Sequence, residues 1–323
     1  MAGTKDDFVI YDVEFHSGVN ETLEQNAAEI ETGVAGAIRM ISVNQRGDFE
    51  KESFFKNIAN VTSRRDPDDI TAAAGTKLTQ EELSAVKING MIGPVYNTLD
   101  SFKKIGSDPA VFSFLVGQQA GVSVSLDWIN TGVLALTTAM QTETDMVLDI
   151  AGGTETDKTL NAIYLNQGLA LLGDRASRVR AWVMHSKPFF DLVGNQILDK
   201  VTGISDTVVY GGAPGTLGRP VYVTDSPALI NGAGNYIVLG LTEDALVINQ
   251  SEDQTVATDL ELGKGNILMV LQGEYAFTLK VKGFRYTGAA APDDSVLGNA
   301  ANWNYEMDSV KSGPGVVIIV EGS

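Results

Sequence analysis

Residues 108–140 read DPAVFSFLVGQQAGVSVSLDWINTGVLALTTAM and carry only two charges, Asp108 and Asp127. Apolar residues recur at Val111, Leu115, Val122, Leu126, Ile129, Val133, Leu136 and Met140. Steps of three, four or seven residues define one face of a long helix. Asp108 and Pro109 supply an N-cap and a proline in the first turn. A membrane span is the rival reading, because Pro109–Leu126 contains no charge. Gln118, Gln119, Ser123, Ser125 and Asn130 thread polar groups through the stretch, and charged interface flanks are missing. The expectation is a long buried helix, packed on its 111/115/122/126/129/133 side.

Downstream, Gly152-Gly153 breaks the chain. Asp157 then opens an amphipathic helix through Leu160, Ile163, Tyr164, Gln167 and Leu171, with Gly173 as its C-cap. Val179–Met184 reads as a buried strand. Ser186-Lys-Pro188 starts a third helix with Phe189, Phe190, Val193, Ile197 and Val201 on its apolar side. From residue 205 the pattern changes to short β-rich runs cut by Gly and Pro: 208–210, 220–224, 236–241, 245–248, 267–271, 276–284 and 316–320. Helices first and strands later is an α+β order, not βαβ alternation.

Upstream, residues 1–50 hold ten acids and three bases, a net of −7, whereas residues 51–107 hold eight bases and seven acids, a net of +1. An alternating stretch, Phe8–Phe15, precedes a helix at Glu21–Ile30 with Asn20 as its N-cap. The centre of the second segment, VTSRRDPDDITAAAGT over 61–76, is a long polar loop of the kind usually tied to function or disorder. Thr79-Gln-Glu-Glu82 has capping-box spacing, so a short helix is expected there.

The whole chain has 323 residues, 41 acids, 23 bases, no cysteine and a pI near 4.4. That length buries about three quarters of its unfolded surface and needs no disulfide or metal to fold. The acid excess argues against a phosphate-gripping face, which needs clustered Lys and Arg. Without cysteine there is no thiolate metal site and no thiol nucleophile. The first residues, MAGTKDD, show no secretory signal. Glycine, 34 of 323 residues, exceeds the usual ~7%. A Gly-rich, apolar yet acidic chain suits a protein that buries outer surface against other subunits.

The search for chemistry nominates no catalytic, cofactor-binding or metal-ligating residue. The two histidines, His16 and His185, have no HExxH or HxH spacing. His185 ends a strand where a triad member can sit, but no GxSxG elbow accompanies it; a ring bonded to the turn backbone is the simpler reading. Gly211–Gly218 and Gly263-Lys-Gly265 lack the contexts of dinucleotide and phosphate loops and read as turns. Asp66-Pro-Asp-Asp69 lacks EF-hand spacing. Sequons at Asn20, Asn60 and Asn249 matter only in a secreted chain.

The order of these features resembles the major capsid proteins of tailed bacteriophages with the Hong Kong 97 fold. The residues that carry the resemblance are FSFLVGQQ (112–119), RAWVMHSKPFFD (180–191) and LGRPVYVTDS (217–226). It runs from about Val86 to the C-terminus.

The resemblance implies an N-terminal arm over 1–45 lying along a neighbour and an E-loop hairpin over 46–93 reaching across an adjacent subunit. It also implies a peripheral domain with the spine helix over 94–145 and an axial domain over 146–262. Return strands of the peripheral domain would span 263–312, and a C-terminal strand on the axial domain 313–323. Implied partners are further copies as hexamers and pentamers, portal and scaffolding proteins, a decoration protein as an optional addition, and enclosed DNA held without specific contacts. No membrane and no cofactor is implied. The location would be the virion head, assembled in the host bacterial cytoplasm. Some family members cross-link Lys to Asn; Lys77 and Lys87 are nearby, but no motif here matches that chemistry. The basic residues of 51–77, Arg64 and Arg65 first, would meet carboxylates of a neighbour. Rival readings are an encapsulin-like cellular compartment and a hydrolase using His185.

Overall fold

The computed structural model describes residues 12–56, 77–98, 109–202, 216–232 and 234–322. Its axis is the helix expected from the opening stretch, α2, Pro109–Gln141. A first helix, α1, spans Asp12–Gly33 and lies against α2. Two glycines permit the close approach. A Cβ at Gly117 of α2 would lie 2.2 Å from the Phe15 carbonyl oxygen, and one at Gly18 of α1 would lie 2.4 Å from that of Phe114. Phe15, Val19, Leu23 and Ile30 are buried by this docking. Residues 12–15 are therefore helical rather than alternating, and Asn20 sits inside the helix instead of capping it. The apolar repeat at 15, 19, 23 and 30 is satisfied only when the helix is extended backward.

A five-stranded sheet packs against the middle of α2, around Asp127, Trp128 and Gly132. Its strands are β1 (Ile38–Ser42), β2 (Phe49–Phe55), β3 (Gln80–Thr98), β8 (Leu246–Glu261) and β9 (Leu268–Val281), in the order β1-β8-β9-β3-β2. β1 runs parallel to β8 and the other pairs are antiparallel. The helix expected at Thr79 is thus a strand. Glu81 and Glu82 face β2, where Phe54 and Ser53 are their partners, and Ala85, Val86 and Ile88 enter the core. Long-range pairing overrides the local capping signal. The runs 267–271 and 276–284 are one strand to Val281, followed after a turn by β10 (Phe284–Tyr286), which pairs with β11 (Trp303–Tyr305).

The second sheet contains β4 (Val147–Asp149), β5 (Val179–Met184), β6 (Val221–Val223), β7 (Asn235–Thr242) and β12 (Gly315–Glu321), ordered β4-β12-β7-β5-β6. Both of its faces are buried. On β12, Val317 and Ile319 join the core shared with α2, while Val316, Ile318 and Val320 face a second core. That second core is closed by α3 (Ala162–Ala170) and α4 (Ser186–Thr202). Strands covered on both sides read as continuous apolar runs, which is why β5, β7 and β12 were visible in the sequence.

Other expectations shift. Asn161, not Asp157, caps α3, its side chain accepting the Tyr164 N–H at 2.9 Å. On α4 the fully buried apolar residue is Leu192, while Phe190 is exposed; the side chains of Ile197 and Val201, like the run 208–210, lie outside the described residues. β8, which falls within the span 146–262, hydrogen-bonds into the first sheet and not the second.

Candidate functional site

Three surfaces hold the residues singled out in the sequence. The first is the β2–β3 hairpin at the edge of the first sheet. Its ladder runs from Phe49↔Val86 to Phe55↔Gln80, and β2 is exposed along almost its whole length. Charges across it are paired: Lys51 with Glu82 at 3.0 Å, Lys56 with Glu81 at 3.9 Å, and Lys280 of β9 with Glu52. Arg285 of β10 links Glu82 at 3.6 Å to Glu306 at 3.9 Å. The hydrogen bond from Lys51, with the charges of Lys51 and Arg285, holds the Glu82 carboxyl below its ordinary value. These pairs are solvated, so they fix register more than they stabilise. Residues 57–76, with Arg64, Arg65 and Asp66–Asp69, lie outside the described residues. Lys77 is exposed at the returning strand. Lys87 is buried and ion-paired with Glu252 of the same chain.

The second surface is α2 itself. Ile129, Val133, Leu136 and Met140 are buried as expected, but Leu115, Val122 and Leu126 are 49%, 44% and 57% exposed. The apolar stripe is therefore continuous in sequence and divided in space. The second sheet and the 3₁₀ turn Pro227–Leu229 cover its C-terminal half. Toward the N-terminus the buried side rotates to Gly117, Gly121, Val124 and Trp128, where α1 docks. The expected packing face was right for 129 and 133 and wrong for 115, 122 and 126, while the side chain of Val111 lies outside the described residues.

The third is the junction of the two sequence segments RAWVMHSKPFFD and LGRPVYVTDS. β5 and β6 pair in parallel through Trp182↔Val221 and Met184↔Val223. Arg219 donates to the carbonyls of Val179 at 2.8 Å and Ala176 at 3.0 Å, and the Trp182 indole donates to the Thr216 carbonyl at 3.3 Å. His185 stands at the N-terminus of α4, its Nδ1 accepting the Lys187 N–H at 3.2 Å, while Asp225 accepts the Ser186 N–H at 3.2 Å. Hydrogen bonds from Ser186 hold the Asp225 carboxyl below its ordinary value. Asp225 also lies 3.5 Å from His185 Nε2. Ser186 Oγ is 3.4 Å from His185 Nδ1, the nitrogen already engaged by the backbone. A serine base is poorly served by that arrangement; the trio caps a helix.

Of the remaining candidates, Asn60 and residues 211–215 lie outside the described residues. Gly263, at φ +94°, turns β8 into β9. Asn249 is buried and bonded to Val43, not displayed for modification. Among the described residues no group of three or more His, Asp or Glu side chains comes together, and no helix is long and apolar enough to cross a membrane. The sequence reading missed Arg219, Asn249 and Asp225, whose roles depend on partners far away in the chain.

The family described as major capsid protein 13-like (Gp13-like) matches residues 7–317. No curated protein sequence matches. Solved structures do: a chain of the Cyanophage Pam1 capsid asymmetric unit aligns with a TM-score of 0.55 at 12% identity over 88% of each chain. A chain from Microbacterium phage Oxtober96 gives 0.52 at 13% identity over 88% of this chain and 90% of its own. One from Mycobacterium phage Adephagia gives 0.52 at 10% identity over 90% and 89%. Likeness at such identities speaks for the fold alone, and that fold is the Hong Kong 97 type expected from the sequence.

Proposed function

This chain belongs to the major capsid protein 13-like family and is a phage head shell protein, and we propose that it closes, as hexamers and pentamers, into the icosahedral head of a tailed double-stranded DNA phage. The observation that carries the reading is a family match spanning residues 7–317 on a fold divided around one long helix. The role is structural and involves no catalysis. What does the work is repetition: contacts that are weak singly become decisive when closed symmetry multiplies them.

In this reading the β2–β3 hairpin, with residues 57–76, is the E-loop; α2 is the spine of the peripheral domain; and the second sheet with α3 and α4 forms the axial domain from 146 to about 243. The return strands are 263–312, now joined by β8, and 313–323 supply the C-terminal strand. Residues 1–45 form the N-terminal arm, whose helix α1 docks on its own subunit's spine before any neighbour is met. Portal and scaffolding proteins are the further partners, with a decoration protein as an optional one. Assembly takes place in the host bacterial cytoplasm. The net charge of −18 supports a wall that encloses DNA without gripping it, since like charge repels the phosphates.

Electron microscopy of the purified chain tests the proposal. Closed icosahedral shells are expected, and a protein that stays dispersed under every salt and crowding condition would refute it.

A further inference from the structure

β1 and β2 are opposite edges of the five-stranded sheet, yet only residues 43–48 separate them in sequence. The connection must cross the open face over β8, β9 and β3. Four inter-strand spacings amount to about 19 Å. The seven steps from Ser42 to Phe49 reach only about 23–25 Å when fully extended. The crossing is nearly taut.

It is also fastened along its length. Asn249 of β8 brackets Val43: its Oδ1 accepts the Val43 N–H at 2.7 Å, and its Nδ2 donates to the Val43 carbonyl at 2.9 Å. The Gln45 N–H donates to the Ser251 carbonyl at 3.2 Å, and Thr278 Oγ1 donates to Gln45 Oε1 at 2.8 Å. At the far end the Lys87 N–H donates to the Asp48 carbonyl at 2.9 Å, and Gly47, at φ +93°, turns the chain into β2. The ion pair of Lys87 with Glu252 reaches across β9 between β3 and β8. Asn249, Thr278 and Lys87 lie opposite one another on the ladder, on a sheet face that no helix covers among the described residues, yet none is more than 7% exposed. Polar residues at these positions make sense as fasteners for an overlying backbone, because buried polar groups require partners.

Upstream, β1 follows α1 after four residues; downstream, β2 is the first strand of the hairpin. We propose that residues 43–48 are a tether that couples the position of the hairpin to that of α1, with Asn249 as its latch. The hairpin edge can swing away from the sheet only by the few ångströms of slack before the Asn249 bracket breaks. A displacement of the hairpin is therefore passed to α1 and its seat on α2. This tether goes beyond the shell assignment and does not depend on it.

The chain has no cysteine, so introduced pairs label cleanly. Spin labels at Ala28→Cys and Ser53→Cys report α1 against β2; labels at Ala28→Cys and Glu274→Cys report α1 against central β9. Distances are measured by double electron–electron resonance on the full chain kept unassembled. Inserting two glycines between Arg46 and Gly47 adds up to about 7 Å of slack while leaving every sheet side chain in place. The expected result is a broader α1–β2 distribution and an unchanged α1–β9 distribution. Asn249→Ala should have the same effect. Unchanged widths in the insertion variant would overturn the tether, as would equal broadening of both pairs, which means general loosening. Broadening in Asn249→Ala alone would also overturn it by placing the effect in β8.

Discussion

Replacing glycine by alanine in a helix usually stabilises it, by up to about 1 kcal/mol, because alanine loses less backbone freedom on folding. Gly117 should behave in the opposite way. Its added methyl would lie 2.2 Å from the backbone oxygen of Phe15, against 3.4–4 Å for ordinary contact. The obstacle is a helix backbone and cannot rotate aside, so α1 must retreat from α2 by about 1 Å. A gap of that size forfeits roughly a quarter to a half of each dispersion contact across it. Phe15, Val19 and Leu23 all pack in that seam. Overpacking of this kind costs about 1–3 kcal/mol. Set against the propensity gain, Gly117→Ala should destabilise the subunit by about 1–2 kcal/mol.

Gly194 in α4 provides the control, since a Cβ there meets nothing within 4 Å. Gly194→Ala should raise the melting temperature while Gly117→Ala lowers it, each by about 2–4 °C per kcal/mol, or somewhat less in a chain this long. Calorimetry of the unassembled chain separates the two signs. If Gly117→Ala melts at or above wild type, the close docking of α1 on α2 is wrong.

Three further outcomes follow from the described surfaces. Val133→Asp, fully buried, should cost several kcal/mol, whereas Leu126→Asp, more than half exposed, should leave subunit melting within about 0.5 kcal/mol; equal losses in a denaturant titration would restore the packing face read from the sequence. Asp225, whose carboxyl is held below its ordinary value by Ser186, contributes stability that is present above about pH 4 and lost as pH falls through the lowered value. Asp225→Asn should therefore melt below wild type at neutral pH and converge with it in acid; parallel melting curves at all pH values would remove the cap. Serine at both Arg64 and Arg65 should weaken shells at low salt and leave subunit melting unchanged, since exposed pairs give only about 0–1 kcal/mol each and are screened to about 3 Å at 1 M salt; light scattering that finds equal shell stability at every salt concentration would favour a merely solvated loop.

The parts of the fold legible in the sequence are those whose burial is set locally. α2 announces itself by period, and β5, β7 and β12 by unbroken apolar runs, because both faces of their sheet are covered. The first sheet was harder to read. In β9 the exposed Gln272 and Glu274 flank Gly273 between the apolar runs 267–271 and 276–284, so a single long strand looked like two short ones. β8 hides further, because its ladder with β9 shifts register between Gln250 and Thr255. TQEE at 79–82 carries a helix-start signal that the β2–β3 ladder and the burial of Ala85, Val86 and Ile88 override. Asn249 was beyond reach, since its partner Val43 is 206 residues away.

The half-wrong stripe on α2 bears on how such a subunit works. A sequence records that a face is apolar, not what covers it. From Ile129 onward the cover belongs to the same chain. At Leu115, Val122 and Leu126 the unassembled chain leaves aliphatic surface in water, at a cost of about 25 cal/mol per Å². The second sheet, buried on both faces, has little freedom to rearrange. The first has one face against the helices and the other crossed by only six residues, and its edge strand β2 is nearly bare. Regions with few buried contacts open and move at the lowest free energy. Opening of the subunit should therefore begin in the first sheet and its hairpin, with the second sheet moving as a block.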